Sequence, residues 1–330
     1  MKIAVKGGGW YGCHIAMSLL RDGHDVTLYE KHHLFAGASG AIPARIHRGY
    51  HYPRSGATRT ACIEHLAEFE DAYRTLIRYP PLNFYAVAAY DSLVDFATYK
   101  LVCGETPGLK DTLTANSCAA LGIQNIEGAL RVTEGHVLIG PVRAYFTEIL
   151  GQHVVYGEEP PPDVLAIDCT FCANHNVGVA RYEPCVTFLY EGPTDMALTI
   201  MDGPFPSLYP WDEHRRLLSL TSARHTPFCR AETYEEARAA LNAVTAASLA
   251  ARRVLMEDDF ATYFPAFRDV YRNVDALFGI RAMPRSASDA RLVECRWVES
   301  RTIAVRAGKI DAVFAAVRQI QGMLQDLERR

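Results

Sequence analysis

Ile3-Ala4-Val5-Lys6-Gly7-Gly8-Gly9-Trp10-Tyr11-Gly12 and, after one helix length, Asp25-Val26-Thr27-Leu28-Tyr29-Glu30 decide how this chain begins. Residues 3–6 read as a short apolar strand and Gly7 to Gly12 as a glycine-rich turn. A helix follows from about Tyr11 to Arg21, with Ile15, Leu19 and Leu20 at helical spacing. Asp22-Gly23 stop it, and residues 25–30 form a second strand rich in β-branched and aromatic residues. Gly7, Gly9 and Gly12 therefore stand as G-x-G-x-x-G between a strand and a helix, and Glu30 closes the next strand. Each has a physical task. Gly7 permits the tight turn, Gly9 lets backbone approach a pyrophosphate, and Gly12 allows close helix–strand packing. The helix N-terminus offers N–H donors and partial positive charge to phosphates, and Glu30 can accept from ribose hydroxyls. The unit predicts a dinucleotide-binding βαβ fold.

The rest of the composition narrows the classes. At 330 residues the chain is long enough for two domains. The formal net charge of −4 supplies no basic excess for a nucleic-acid binder. With 49% hydrophobic and 22% charged residues it has a globular composition. No apolar run approaches the roughly 20 residues that cross a bilayer, and Lys6, His14 and Arg21 interrupt the N-terminal segment as a signal peptide. Nine cysteines, odd in number and irregularly spaced, predict reduced thiols and a cytoplasmic location.

Further along, a helix is expected over about 57–77, ended by Tyr79-Pro80-Pro81. A strand at 84–90 and an amphipathic helix capped by Asp91 or Ser92 follow. Residues 141–150 read as a helix with Pro141 in its first turn, and 153–156 and 164–169 as buried strands. Strands at 185–190, 196–201 and 217–221 predict an antiparallel sheet, followed by one helix over about 235–256. The chain ends with a strand at 302–306, Gly308 and a helix to Arg330. The fold class is α/β, a discontinuous Rossmann-type domain (1–79, 131–181 and 280–330) with an inserted mixed α+β substrate domain (80–130 and 182–279).

Gly37-Ala38-Ser39-Gly40 with the run Ala44-Arg45-Ile46-His47-Arg48-Gly49-Tyr50-His51-Tyr52-Pro53-Arg54-Ser55 resembles the second block of the D-amino acid oxidase superfamily of flavoproteins. The C-terminal Val305-Arg306-Ala307-Gly308-Lys309-Ile310-Asp311 resembles that superfamily's last flavin-contacting turn, and Val164–Thr170 between them resembles its apolar strand near the dinucleotide. The resemblance implies FAD as cofactor. Gly7, Gly9, Trp10, Tyr11 and Gly12 would hold the pyrophosphate, and Glu30 and Lys31 would border the adenosine ribose. Ser39, Gly40, Arg45 and Ile46 would pass beside the pyrophosphate and isoalloxazine, and Val155 would touch adenine. Gly308, Lys309, Ile310 and Asp311 would present backbone amides to the pyrimidine end of the flavin, where a helix N-terminus favours the reduced anion. Ala41-Ile42-Pro43 departs from the polar residues that relatives often carry there.

The implied activity is an FAD-dependent oxidoreductase that takes a hydride from a C–H next to nitrogen, or as the second reading next to oxygen, to flavin N5, with O2 or another electron acceptor. The substrate is a small molecule, anionic where Arg281 would anchor it. His47 and His51 are candidate proton acceptors or covalent flavin tethers, and Tyr50 and Tyr52 candidate substrate walls. Arg281, in Gly279-Ile280-Arg281, resembles the arginine that grips a substrate carboxylate, a task suited to its planar fork, and a plain salt bridge is the competing reading. No third ligand accompanies His47 and His51, so a metal site is not expected. Cys169-x-x-Cys172 reads as buried thiols rather than a redox pair. Pro204–Tyr209 with Trp211 reads either as pocket lining or as core. An NAD(P)-dependent dehydrogenase and a flavin- or nucleotide-binding protein without turnover are the alternatives.

Overall fold

A computed structural model describes residues 1–284 and 292–329. Two large sheets organise them. The first has six strands in the order Glu294–Glu299, Thr302–Arg306, Leu165–Asp168, Lys2–Lys6, Asp25–Glu30, Val154–Tyr156. All neighbours pair in parallel except Glu294–Glu299, which runs antiparallel to Thr302–Arg306. Ile3, Val5, Val26, Leu28, Ile167 and Ile303 are buried in it. Strands buried on both faces read as near-continuous apolar runs, which explains why Ile3-Ala4-Val5 was legible. The helices Trp10–Arg21, Ile139–Leu150 and Val313–Glu328 share the core of this sheet. The C-terminal helix, expected to reach Arg330, stops at Glu328, and Arg330 lies outside the described residues.

The second sheet has eight strands, in the order Arg272–Pro284, Val179–Glu191, Leu217–Ser222, Pro206–Asp212, Met196–Met201, Leu82–Ala88, Ile126–Val132, Leu109–Thr114. It is antiparallel except where Met196–Met201 runs parallel to Leu82–Ala88. Its strands overrun the expected boundaries at 130/131, 181/182 and 279/280, because pairing partners lie on both sides of each. A small sheet of Arg45–Ile46, Gly135–Val137 and Ile77–Arg78 lies between them in sequence and carries the segment that follows Arg45.

Several local expectations are corrected. The helix expected to Ile77 ends at Tyr73, since Ile77 pairs with Val137 in the small sheet. The next helix, Phe96–Cys103, is capped by Asp95, whose side chain accepts from Thr98 N at 2.7 Å, and not by Asp91 or Ser92. The single helix expected at 235–256 is two, Tyr234–Asn242 and Ala246–Ala261, each opened by its own capping box (Thr233 with Glu236, Thr245 with Ser248). Val154–Tyr156 is a half-exposed edge strand rather than a buried one. Residues 206–212, whose prolines obscured any alternation, form a strand.

Candidate active site

The glycine turn is shaped by backbone contact. Gly7 has φ +97°, and a Cβ on it would lie 2.9 Å from the Cys169 carbonyl oxygen; a Cβ on Gly12 would lie 1.8 Å from that of Gly7. Gly9 occupies the N-cap of the first helix and brings no side chain to cap it. Trp10 N–H donates to Ser39 Oγ at 3.2 Å, and a Cβ on Gly9 would stand 2.8 Å from that oxygen. With Trp10 N–H taken by Ser39, the N–H groups of Tyr11 and Gly12 are left for an anion. Glu30 accepts Gly8 N–H at 2.5 Å on Oε2 and His32 N–H at 2.9 Å on Oε1, and its carboxylate keeps lone pairs for hydroxyl donors. Lys31 is exposed, and Val155 is half-buried beside Tyr29. The Trp10 ring lies in an aromatic core with Phe35, Phe69, Tyr73 and Phe146, so only its backbone can face a phosphate. Ile46 is likewise a core side chain.

The 308–311 turn closes the other end. Tyr11 OH donates to Lys309 O at 2.6 Å and accepts Gly308 N–H at 3.0 Å. Asp311 is 1% exposed and its Oδ2 has no partner among the described residues, an orphaned acceptor at the base of the turn. Burial pushes the Asp311 carboxyl up, which Lys309 partly offsets; burial pushes the Lys309 ammonium down, which Asp311 partly offsets. Ile310 is half-buried. A bare helix N-terminus, a cradle that a Cβ would fill, a carboxylate beyond it and an orphaned buried acceptor together fit a flavin dinucleotide. Ser39 and Gly40 belong to the short helix Ala38–Ala41, which leans on the second sheet where a Cβ on Gly279 would meet Ala41 at 3.4 Å. That contact brings the strand carrying Arg281 against the dinucleotide segment.

The segment after Arg45 divides into three parts. Arg45, expected beside the isoalloxazine, commits its guanidinium to the second sheet. It donates to Thr199 Oγ1 at 3.1 Å and to Ser207 Oγ, and stacks 4.2 Å over the Tyr209 ring. Tyr50, expected to face substrate, is fully buried behind that surface: its hydroxyl donates to Thr106 O at 2.7 Å and its ring stacks on Tyr85. His47, His51 and Tyr52 cluster, with the His47 ring 5.2 Å from His51 and 5.6 Å from Tyr52. Lys309 Nζ lies 4.4 Å over the Tyr52 ring, so Tyr52 touches the C-terminal turn. Burial, followed by the charges of Lys309 and Arg45, holds His47 well below the usual imidazole range.

A cavity of about 630 Å³ opens beside this cluster, lined on one side by His51, Tyr52 and Arg54 and on the other by Glu183 and Arg281. Glu183 and Arg281 face each other in the strand register, and Arg281 Nη2 donates to Glu183 Oε2 at 2.8 Å. Arg181 Nε donates to Oε1 at 2.8 Å. Burial would raise Glu183, but the two guanidiniums outweigh it and hold the carboxyl below its ordinary value. Arg281 is therefore both an ion-pair partner and a wall of the cavity, and its Nε is buried without a partner among the described residues. Arg54 binds Asp202 at 2.5 Å at the opposite rim. Pro204 reaches the lining, whereas Leu208 and Tyr209 are core. Cys169 and Cys172 are free thiols that burial pushes up.

Glu134 escaped the sequence reading. It is a lone acid between the strands Ile126–Val132 and Gly135–Val137, with no motif around it. The structure buries it to 1% exposure, 3.5 Å from His47 Nδ1.

Residues 2–145 match the DAO family, FAD dependent oxidoreductase. The chain is 34% identical over 342 residues to the FAD-dependent monooxygenase FPY4 of Fusarium mangiferae, covering 98% of this chain and 91% of that one. It is 28% identical over 377 residues to the FAD-dependent monooxygenase kojA of Aspergillus flavus, covering 100% of this chain and 87% of the relative. In fold it is similar to glycine oxidase from Geobacillus kaustophilus, with TM-score 0.72, 14% identity, and coverage of 98% of this chain and 94% of the other.

Proposed function

The chain belongs to the DAO family of FAD-dependent oxidoreductases, and from that premise we propose that it oxidises a C–N bond of a small, anionic amine or amino-acid-like substrate. FAD is its cofactor, which sets the nicotinamide alternative aside, and supplies the two-electron redox chemistry when bound. The observation that carries the substrate reading is the cavity between Tyr52 and Arg281. Tyr52 joins it to the Lys309 turn, and its described lining holds five arginines (Arg54, Arg181, Arg224, Arg230 and Arg281) against the carboxylates Glu183 and Asp202. A cleft with such an excess concentrates anions by field focusing.

Within this reading Arg281 anchors the anionic group through the donors that Glu183 leaves open. His47, kept neutral by burial and lying 5.2 Å behind the His51 ring of the cavity lining, is the base that takes a proton from the substrate ammonium. Gly7, Gly9, Gly12, Ser39 and Glu30 hold the dinucleotide, and the 308–311 turn borders its flavin end. No helix among the described residues is long and apolar enough to cross a membrane. All nine cysteines are unpaired, which supports a cytoplasmic location.

Anaerobic mixing with amino acids, simple amines and 2-hydroxy acids tests the reaction. Loss of flavin absorbance with an amine supports C–N oxidation, bleaching by hydroxy acids alone overturns it, and bleaching by none leaves a binding role. Both fungal relatives are FAD-dependent monooxygenases, which favours a second reading, oxygenation of the substrate. Label from 18O2 retained in the product would select it, and peroxide release without label would reject it.

A further inference from the structure

We propose that Glu134 is the positioning residue of His47, holding the imidazole proton on Nδ1 so that Nε2 is the nitrogen presented to substrate. This rests on the reading of His47 as the base. Glu134 stands between two strands at the join of the small and the large sheet, and its carboxylate is removed from water. A buried carboxylate is tolerated only where donors converge on it. Here Arg48 N–H donates to Oε1 at 2.6 Å and Tyr85 OH to Oε2 at 2.5 Å. The next donor in reach is His47 Nδ1, 3.5 Å from the same Oε2. That distance is long for a hydrogen bond and short enough to close when a ligand fills the site.

The groups facing His47 leave no competing acceptor of that strength. Tyr85 OH, hydrogen-bonded to Nδ1 at 3.4 Å, donates its own proton to Glu134 and so accepts from Nδ1 as a weaker partner that points the same proton toward the carboxylate. Arg45 and Lys309 are cations that favour the neutral ring, and His51 and Tyr52 pack against it as rings. A carboxylate on Nδ1 fixes the tautomer and then stabilises the imidazolium formed when Nε2 accepts the substrate proton. The proton moves from substrate nitrogen to His47 Nε2, and the Nδ1 proton stays between His47 and Glu134. Burial pushes Glu134 up to about 7 against the opposing Tyr85 and Arg48 donors, so this device is switched by pH near neutrality.

The test needs no substrate. The FAD-loaded protein is labelled with 15N in its histidine rings, and the His47 signals are assigned by their loss in His47→Asn. Above pH 7 the wild type should carry the His47 proton on Nδ1, with a step in its shifts near pH 7 as Glu134 titrates. Glu134→Gln should move the proton to Nε2 and abolish the step. Tyr85→Phe removes a donor from the carboxylate and should shift the step to higher pH. A wild-type proton on Nε2, or a step that survives in Glu134→Gln, overturns the proposal. Should Glu134→Gln not fold, Tyr85→Phe decides alone, and an unmoved step is the overturning result. Failure of the base role is separable: His47→Asn would then be bleached by an active amine at the wild-type rate, whatever the spectra of the pair.

Discussion

Tyr11 and Lys309 lie 298 positions apart, yet the Tyr11 hydroxyl donates to the Lys309 carbonyl at 2.6 Å. The same hydroxyl accepts Gly308 N–H at 3.0 Å, so one side chain from the first helix fixes the shape of the C-terminal turn. The pyrophosphate end and the flavin end of the proposed cofactor site are tied together by this clasp.

Tyr11→Phe keeps the ring and removes the clasp. A half-buried carbonyl and amide left without their partner cost at most about 1–3 kcal/mol. The variant should fold with a Tm several degrees lower and release FAD more readily, checked by thermal scanning and by fluorescence of released flavin. Flavin retention equal to wild type would dissociate the turn from cofactor binding.

The fingerprint glycines should fail differently. On Gly12 a methyl meets backbone at 1.8 Å, so Gly12→Ala should not accumulate as folded protein. On Gly9 it meets only the Ser39 hydroxyl, at 2.8 Å. Gly9→Ala should therefore fold yet purify with little flavin, as the ratio of visible to ultraviolet absorbance will report.

Arg281 and Glu183 should act in opposite directions on anion binding. Loss of a charge-assisted hydrogen bond costs about 1.5–3 kcal/mol, so Arg281→Gln should weaken a carboxylate ligand roughly ten- to hundredfold. Glu183→Gln frees both Arg181 and Arg281 and should tighten it. Flavin absorbance shifts on titration with a monocarboxylate, at low and high salt, give both constants.

Stability should fall on acidification. Burial, with Arg21, pushes His14 down to about 3, and burial, with Arg45 and Arg78, pushes His136 down to about 4. Below about 6.5 the unfolded chain takes up these protons and the folded one does not, at up to about 1.4 kcal/mol per group and pH unit. Glu134 works the other way. Its raised carboxyl makes the folded state bind the extra proton between its unfolded value and about 7, so its contribution declines as pH rises through that window. Asp311, which burial also pushes up to about 7, acts with Glu134, while His47, held well below its usual range by burial, acts with His14 and His136. Three groups outweigh two, so Tm should drop between pH 6.5 and 5, and His136→Gln should flatten the slope. A Tm that rises over this interval contradicts the assignment.

The N-terminal βαβ unit was legible without any tertiary contact. Gly7, Gly9, Gly12 and Glu30 were readable because steric demand and phosphate chemistry act within one local βαβ unit, and Ile3-Ala4-Val5 because a strand buried on both faces shows as an apolar run. Local periodicity also located Met196–Met201 and Thr302–Arg306. It missed Arg272–Pro284, whose facing partner is Val179–Glu191, since a strand far from its partner carries no local mark of the pairing.

The proposed catalytic side was decided by tertiary structure alone. Tyr50 and Tyr52 are equivalent in the sequence run, but one is packed on Tyr85 and the other lies under Lys309. Arg45 turns toward Tyr209, and Glu134, unremarkable in sequence, comes to rest beside His47. The physical reason is common to all of them. A residue's role here depends on which distant strand removes it from water and which charges that strand brings with it, and neither is encoded by its neighbours in the chain.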